Sequence, residues 1–143
     1  GMMTLPANGK GLFSPVYIDD LLDGTMLAAG LDAGRGHIFH IAGGTSMSCL
    51  EYFSNHWRWA GKSGSIRCIS TPMAVRLTGV IQGINRLLGR QDETGPDAMY
   101  MLARKGGYSI TKARELLGYA PQVGFAEGIK RSEAWLREIG EIK

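Results

Sequence analysis

At 143 residues, with 44% hydrophobic and 20% charged side chains, the chain has the length of one domain and the composition of a folded one, which excludes a disordered tail. Its net charge of +3 admits an anionic partner, yet Arg76, Arg86, Arg90, Lys112, Arg114, Lys130 and Arg131 are interleaved with acids on expected helices, the pattern of a solvated surface and not of a nucleic-acid footprint. No apolar run approaches the roughly 20 residues that cross a bilayer, and the opening "GMMTLPANGKG" has neither a basic leader nor an apolar signal core, so the expectation is a cytoplasmic protein with no membrane partner.

The first element in "SPVYIDD" is a short β-prone run over Val16 to Ile18, closed by Asp19, whose carboxylate is suited to cap a helix. Ile18, Leu21, Leu22, Thr25, Met26 and Ala29 then recur at helical intervals, and Gly30 ends the run. "HIFHIAGG", residues 37 to 44, reads as a strand closed by glycines. Ser48 and Glu51 have the spacing of a capping box, which predicts a helix to about Ala60 with Cys49, Phe53, Trp57 and Ala60 inward.

After the break at "GKSG", "IRCIS" reads as another short strand, and Pro72 suits the first turn of a long helix. That helix carries Met73, Leu77, Val80, Ile81, Ile84 and Leu88 on one stripe, which predicts packing on a core. Residues 89 to 107 lack sustained periodicity and read as a flexible connector or lid. Ser109 is placed to cap a short helix that Gly118 ends, with Pro121 just beyond. A last helix over about Phe125 to Ile139 puts Phe125, Ile129, Leu136 and Ile139 on one face, and Gly128 within it suggests a close approach.

Several residue sets invite chemistry. Tyr108 and Lys112, with three residues between them, match a tyrosine–lysine spacing used in nicotinamide-dependent catalysis, but both must project from one helix, and Tyr108 precedes the expected cap Ser109. No glycine fingerprint for pyrophosphate occurs. "NGKG" and "AGGTS" match no phosphate loop and read as turns; Asp19, Asp20 and Asp23 suit the positive end of a helix better than a metal. His37 and His40 would face opposite sides of a strand, which argues against joint ligation. Ser14, Ser46, His56 and Glu51 supply hydrolase-type groups without a nucleophile elbow. Cys49 and Cys68 lack metal-ligand spacing and read as buried free thiols.

"GKGLFSPVYIDDLLDG", "GHIFHIAGG", "MSCLEYF" and "YSITKARELLGYAPQVGFAEGIKRSEAWL", in that order, resemble the C-terminal, substrate-domain part of extended short-chain dehydrogenase/reductases of the NAD-dependent epimerase/dehydratase group. "SPVYIDDL" is most similar to the branch containing 3β-hydroxysteroid dehydrogenases and related sugar and flavonoid reductases. The resemblance covers nearly all of residues 8 to 138 and implies an α/β fold, α+β for this chain alone, mainly helical with two to three short strands and without the Rossmann half.

The resemblance implies a single substrate-binding-type domain over residues 1 to 143, with no catalytic residue, cofactor site or metal site in it. NAD(P) and the catalytic Ser, Tyr and Lys would come from a Rossmann-domain partner chain. Position alone places Ser14, Tyr17, Met73, Arg76 and Tyr100 near a substrate cleft, for a small hydroxylated or carbonyl compound. Phe13 stands near the place where nucleotide-sugar epimerases usually have an arginine, and no clear arginine–glycine–aspartate element follows the long helix, which argues against a nucleotide sugar. Residues 37 to 42 correspond to an edge strand of the Rossmann sheet, which implies self-association of a chain without that sheet. The alternative is a standalone binding or oligomerisation module without enzymatic activity.

Overall fold

The computed structural model describes residues 3–89 and 95–142; Arg90 and positions 91–94 of the expected connector lie outside the described residues. The described chain forms two compact units, one of residues up to Phe13 with Met47–Gly106, the other of Ser14–Ser46 with Gly107 onward. Among the described residues there are six α-helices, two short 3-10 turns and four two-residue strands, a mainly helical fold as expected, with four short strands where two to three were expected. No helix among the described residues is long and apolar enough to cross a membrane.

In the first unit, β1 (Thr4–Leu5) pairs in parallel with β4 (Arg67–Cys68), and β2 (Leu12–Phe13) pairs antiparallel with β3 (Met47–Ser48). The strands are short because the turn between β1 and β2 curls at once. Ala7, Asn8 and Gly9 all have positive φ, and a Cβ on Gly9 would lie 2.9 Å from Leu50 Cβ and 3.0 Å from Cys68 Sγ. "NGKG" is therefore a packed turn.

α2 (Cys49–Trp59) begins as expected: the Ser48 hydroxyl accepts from the Glu51 N–H at 3.1 Å. Its Cys49, Phe53 and Trp57 join Leu5, Ile66 and Leu102 in this unit's core, whereas Ala60 is exposed as the C-cap. Cys49 donates to the Leu102 carbonyl at 3.3 Å, and burial raises its thiol pKa against a smaller opposing effect of Arg104. Both cysteines are free, as expected, Cys49 buried and Cys68 half-buried.

α3 (Thr71–Leu87) starts at the predicted Pro72, but its apolar stripe does not pack on a core. Met73, Leu77, Val80, Ile81, Ile84 and Leu88 are all exposed, and Leu87 is 89% exposed; the buried residue is Ala74, at the edge of that stripe. α4 (Pro96–Leu102) lies inside the stretch expected to be a connector and packs against α3, with Pro96 beside Gly79 and Gln82 beside Gly95. Seven residues opened by a proline are too short a segment for periodicity to reveal.

The second unit is built around α1 (Ile18–Gly30), α5 (Thr111–Leu117) and α6 (Phe125–Glu138). The expected strand at Val16–Ile18 is absent, since Ile18 already opens α1 and Tyr17 is its N-cap without a side-chain bond. Asp19 and Asp20 sit in the first turn, where the helix dipole favours them. The face of α1 that packs inward is Asp20, Gly24, Leu27 and Ala28, while the predicted face of Ile18, Leu21, Leu22 and Met26 is exposed. Residues 37 to 44 form no ladder, because this unit holds no strand to pair with them.

The core of this unit is Ala42, Ile110, Ala113, Leu117 and Tyr119, with Leu27, Ala28, Phe39 and Ile41 against it. Ser109 accepts from the Thr111 N–H at 3.2 Å, which serves the first turn of α5 from two residues back. Gly118 ends that helix in the left-handed region at φ 68°, a conformation glycine adopts without strain. Gly128 has the close neighbour its presence in a helix suggested, since a Cβ there would lie 3.3 Å from Tyr17 Cδ2.

Candidate functional site

The five positions expected near a cleft divide between the units: Met73, Arg76 and Tyr100 in the first, Ser14 and Tyr17 in the second. In the first unit all three are exposed, Met73 and Arg76 on α3 and Tyr100 on α4. Met73 leads the exposed stripe of α3, and Tyr100 and Met101 are exposed on α4. Arg76 and Arg86 are the only charged side chains of α3, and its sequence contains no acid. Such a face suits an apolar body carrying a few polar groups, the usual lining of a small-molecule site.

Phe13 closes this unit's strand pair and stacks on Tyr52, ring centroids 4.3 Å apart, with Phe53 at 5.9 Å. Tyr52, His56 and the Trp59 ring continue along α2 at centroid spacings of 4.8 and 4.9 Å. Burial raises the Tyr52 phenol pKa, so it stays a neutral hydroxyl at neutral pH.

In the second unit the Ser14 and Ser46 hydroxyls lie 2.7 Å apart, and Ser14 also accepts the Tyr108 N–H at 3.1 Å. This knot ties the loop before α1 to the loop before α5. It leaves no room for a side chain at Gly107, whose Cβ would overlap Ser46 Oγ at 2.0 Å. The two serines therefore bond to each other and to backbone, an arrangement without an adjacent general base.

Tyr108 lies outside α5, as its place before Ser109 required, and stacks on His40 with centroids 4.6 Å apart. Lys112 turns to the Phe39 ring, Nζ 5.1 Å from its centroid. The pair thus shares no helical face. His37 meets Phe39 edge-on at 6.0 Å, so the two histidines have different neighbours. Among the described residues, no group of three or more His, Cys, Asp or Glu is arranged to hold a metal ion.

Tyr17 packs on α6 beside Gly128, with the Arg131 guanidinium 5.6 Å from its ring centroid. Arg131 also donates to Glu127 at 2.8 Å, and that hydrogen bond lowers the Glu127 pKa. The side chain that sequence reasoning missed is Asp20. It is 2% exposed, and its two oxygens accept the backbone N–H groups of Gln122 at 2.7 Å and Val123 at 3.0 Å, clamping the segment between α5 and α6 onto α1. Tyr119 closes the same joint by donating to the Ala42 carbonyl at 3.1 Å.

No family model matches the chain. Among curated relatives, the sterol-4-alpha-carboxylate 3-dehydrogenase (decarboxylating) of Saccharomyces cerevisiae is 27% identical over 139 residues, covering 92% of this chain and 40% of the relative. Among solved structures, an epimerase from Methanothermobacter thermautotrophicus superposes with a TM-score of 0.65 at 22% identity, over 98% of this chain and 34% of that one. The dTDP-glucose 4,6-dehydratase DesIV of Streptomyces venezuelae, solved with NAD and TYD bound, gives 0.57 at 26% identity, over 96% and 34%.

The chain thus has the fold of part of an extended short-chain dehydrogenase/reductase, and it spans less than half the length of the proteins it matches. The relatives and neighbours named here include a sterol-carboxylate dehydrogenase, an epimerase and a dehydratase, so the chain is similar to members of the NAD-dependent epimerase/dehydratase group, as the four sequence blocks suggested.

Proposed function

We propose that this chain is the substrate-binding part of an NAD-dependent epimerase/dehydratase-type enzyme, and that the open face of α3 and α4 closes over the substrate. The observation that carries this reading is that face itself. Six apolar side chains of one helical stripe, and Tyr100 and Met101 on the helix packed against it, are exposed on a chain whose fold matches only part of its relatives. Exposed apolar patches of this extent mark binding surfaces.

The substrate class we favour is a small, largely apolar hydroxylated or carbonyl compound. The yeast relative is by name a sterol dehydrogenase, and Phe13 stacks on Tyr52 near the place where nucleotide-sugar epimerases usually have an arginine. In this reading NAD(P) and the catalytic Ser, Tyr and Lys belong to a Rossmann-domain chain segment, and the chain described here turns nothing over by itself. Its sequence lacks the glycine fingerprint for pyrophosphate.

Calorimetric titration with NAD and NADP tests this directly. No binding is expected from this chain, and micromolar binding would sink the proposal. Together with a segment that supplies the glycine fingerprint and a Tyr-x-x-x-Lys helix, NAD(P)-dependent turnover is expected, with Met73→Ala and Tyr100→Ala raising KM more than they lower kcat. The rival reading, a standalone binding or oligomerisation module, is favoured by the same exposed face. It predicts no turnover under any such combination.

A further inference from the structure

We propose that a groove in the second unit, between the C-terminal half of α1 and the segment after α5, binds the ammonium group of a small organic amine with an apolar body, with Asp23 as its counter-ion. The groove has a volume of about 620 Å³, within the roughly 300–1,000 Å³ of small-molecule sites. Asp23, Met26, Leu27 and Gly30 form one wall, and Gly118, Tyr119, Ala120 and Gln122 the other. At about 100° per residue, the α1 wall lies about a third of a turn from the line of Ile18, Leu22 and Thr25. The groove is therefore distinct from the large apolar face of that helix, and both walls are built by this unit's own residues.

Those walls are fixed from within the unit. Tyr119 is buried and donates to the Ala42 carbonyl at 3.1 Å, and the Gln122 N–H donates to Asp20 at 2.7 Å, so the segment after α5 cannot fold down into the groove. Gly118, at φ 68°, turns that segment away from α5.

The polar groups of the groove are chiefly acceptors. Asp23 is exposed and makes no hydrogen bond or ion pair among the described residues. The Gln122 side-chain NH2 donates to the Ala120 carbonyl at 2.7 Å, which leaves its oxygen to accept. Gly30 ends α1 and Gly118 caps α5, so both bring carbonyls that lie beyond the helical ladder, and the end of α1 adds its partial negative charge. No Lys, Arg or His lines the groove, in a chain whose net charge is +3. An ammonium supplies three donors and the opposite charge to such a set, whereas a carboxylate is repelled by it. Met26, Leu27 and Leu31 give the attached apolar body a surface to lie on.

The test is a titration of the chain with hexylamine, hexanol and hexanoate at neutral pH, followed by amide NMR. Hexylamine is expected to shift the amides of Asp23, Gly30, Gly118 and Gln122 in a saturable way below about 10 mM, while hexanol and hexanoate leave them in place. Asp23→Asn, at a side chain with no partner to lose, is expected to weaken hexylamine binding about fivefold. Met26→Lys, which puts an ammonium one turn from Asp23, should abolish it. Adding a segment that supplies the glycine fingerprint should leave the affinity unchanged. No saturable shift, equal shifts from hexanol, an unaltered affinity in Asp23→Asn, or loss of binding when that segment is added overturns the proposal. None of these readouts depends on NAD(P) or turnover, so this inference and the enzymatic reading fail separately.

Discussion

Removing the Asp20 carboxylate should open the joint between α1 and the segment that follows α5. Its two oxygens accept the backbone N–H groups of Gln122 and Val123 at 2.7 and 3.0 Å, and the side chain is almost wholly out of water. A hydrogen bond to a charged group contributes about 1.5–3 kcal/mol net. Gln122 is exposed and Val123 half-buried, so water partly replaces the lost acceptor and the lower figure applies to each bond. Asp20→Ala should therefore cost about 3 kcal/mol, and Asp20→Asn, which keeps one acceptor but turns an NH2 group toward an N–H, about 2 kcal/mol. Asp19 is the internal control. Read from the sequence as the helix cap it would be worth about 1 kcal/mol, but it is exposed and makes no capping bond, so Asp19→Ala should stay within about 0.5 kcal/mol. The assay is urea unfolding followed by circular dichroism at one fixed protein concentration, with amide exchange at Gln122 and Val123 as the local readout. A cost below about 1 kcal/mol for Asp20→Ala, or equal costs at the two positions, would refute the clamp.

Gly11→Ala should disrupt the first unit by about 3 kcal/mol, because its Cβ would sit 1.8 Å from the Leu102 carbonyl oxygen, backbone that has little freedom to move; thermal denaturation reads it. Gly83→Ala on α3 has open space around its Cβ and should instead raise stability by about 0.5–1 kcal/mol in the same measurement. Burial, with smaller contributions from Asp20 and Asp23, raises the Tyr119 phenol pKa above its ordinary value. The unfolded chain then ionises this phenol first. The stability it contributes is complete below about pH 10 and is lost as pH rises through the folded-state value. Tyr119→Phe should flatten the decline seen in an alkaline unfolding titration, while costing about 1 kcal/mol at neutral pH for the lost bond to Ala42.

Local chemistry was the legible part of this fold. The Ser48 cap, Pro72 in the first turn of α3, Gly118 in the left-handed region and Gly128 against Tyr17 each follow from a property of one residue type, so each could be read without knowing its surroundings. The strands were less legible, since a run such as residues 37 to 42 becomes a strand only when another strand lies beside it. The clamp at Asp20 was hidden by its neighbour: two adjacent aspartates at a helix start look alike, and what separates them is the segment 102 residues away whose N–H groups one of them meets.

The faces of α1 and α3 were the least legible, and for one reason. Apolar periodicity reports which side of a helix avoids water, and it was taken to mean the side facing the chain's own core. On α1 the inward side is Asp20, Gly24, Leu27 and Ala28, and on α3 the buried residue is Ala74, which flanks the exposed stripe. Gly24 shows how the inversion could be read. A glycine inside a helix costs about 1 kcal/mol, which an exposed position would not justify. A Cβ at Gly24 would lie 2.6 Å from Ile41 Cγ2 and 3.0 Å from Tyr119 Cε2, so the cost is offset by close packing on that side. The small side of α1 thus meets its own unit, while the large apolar side chains Ile18, Leu22 and Met26 stay exposed, so close packing followed the glycine and not the apolar periodicity.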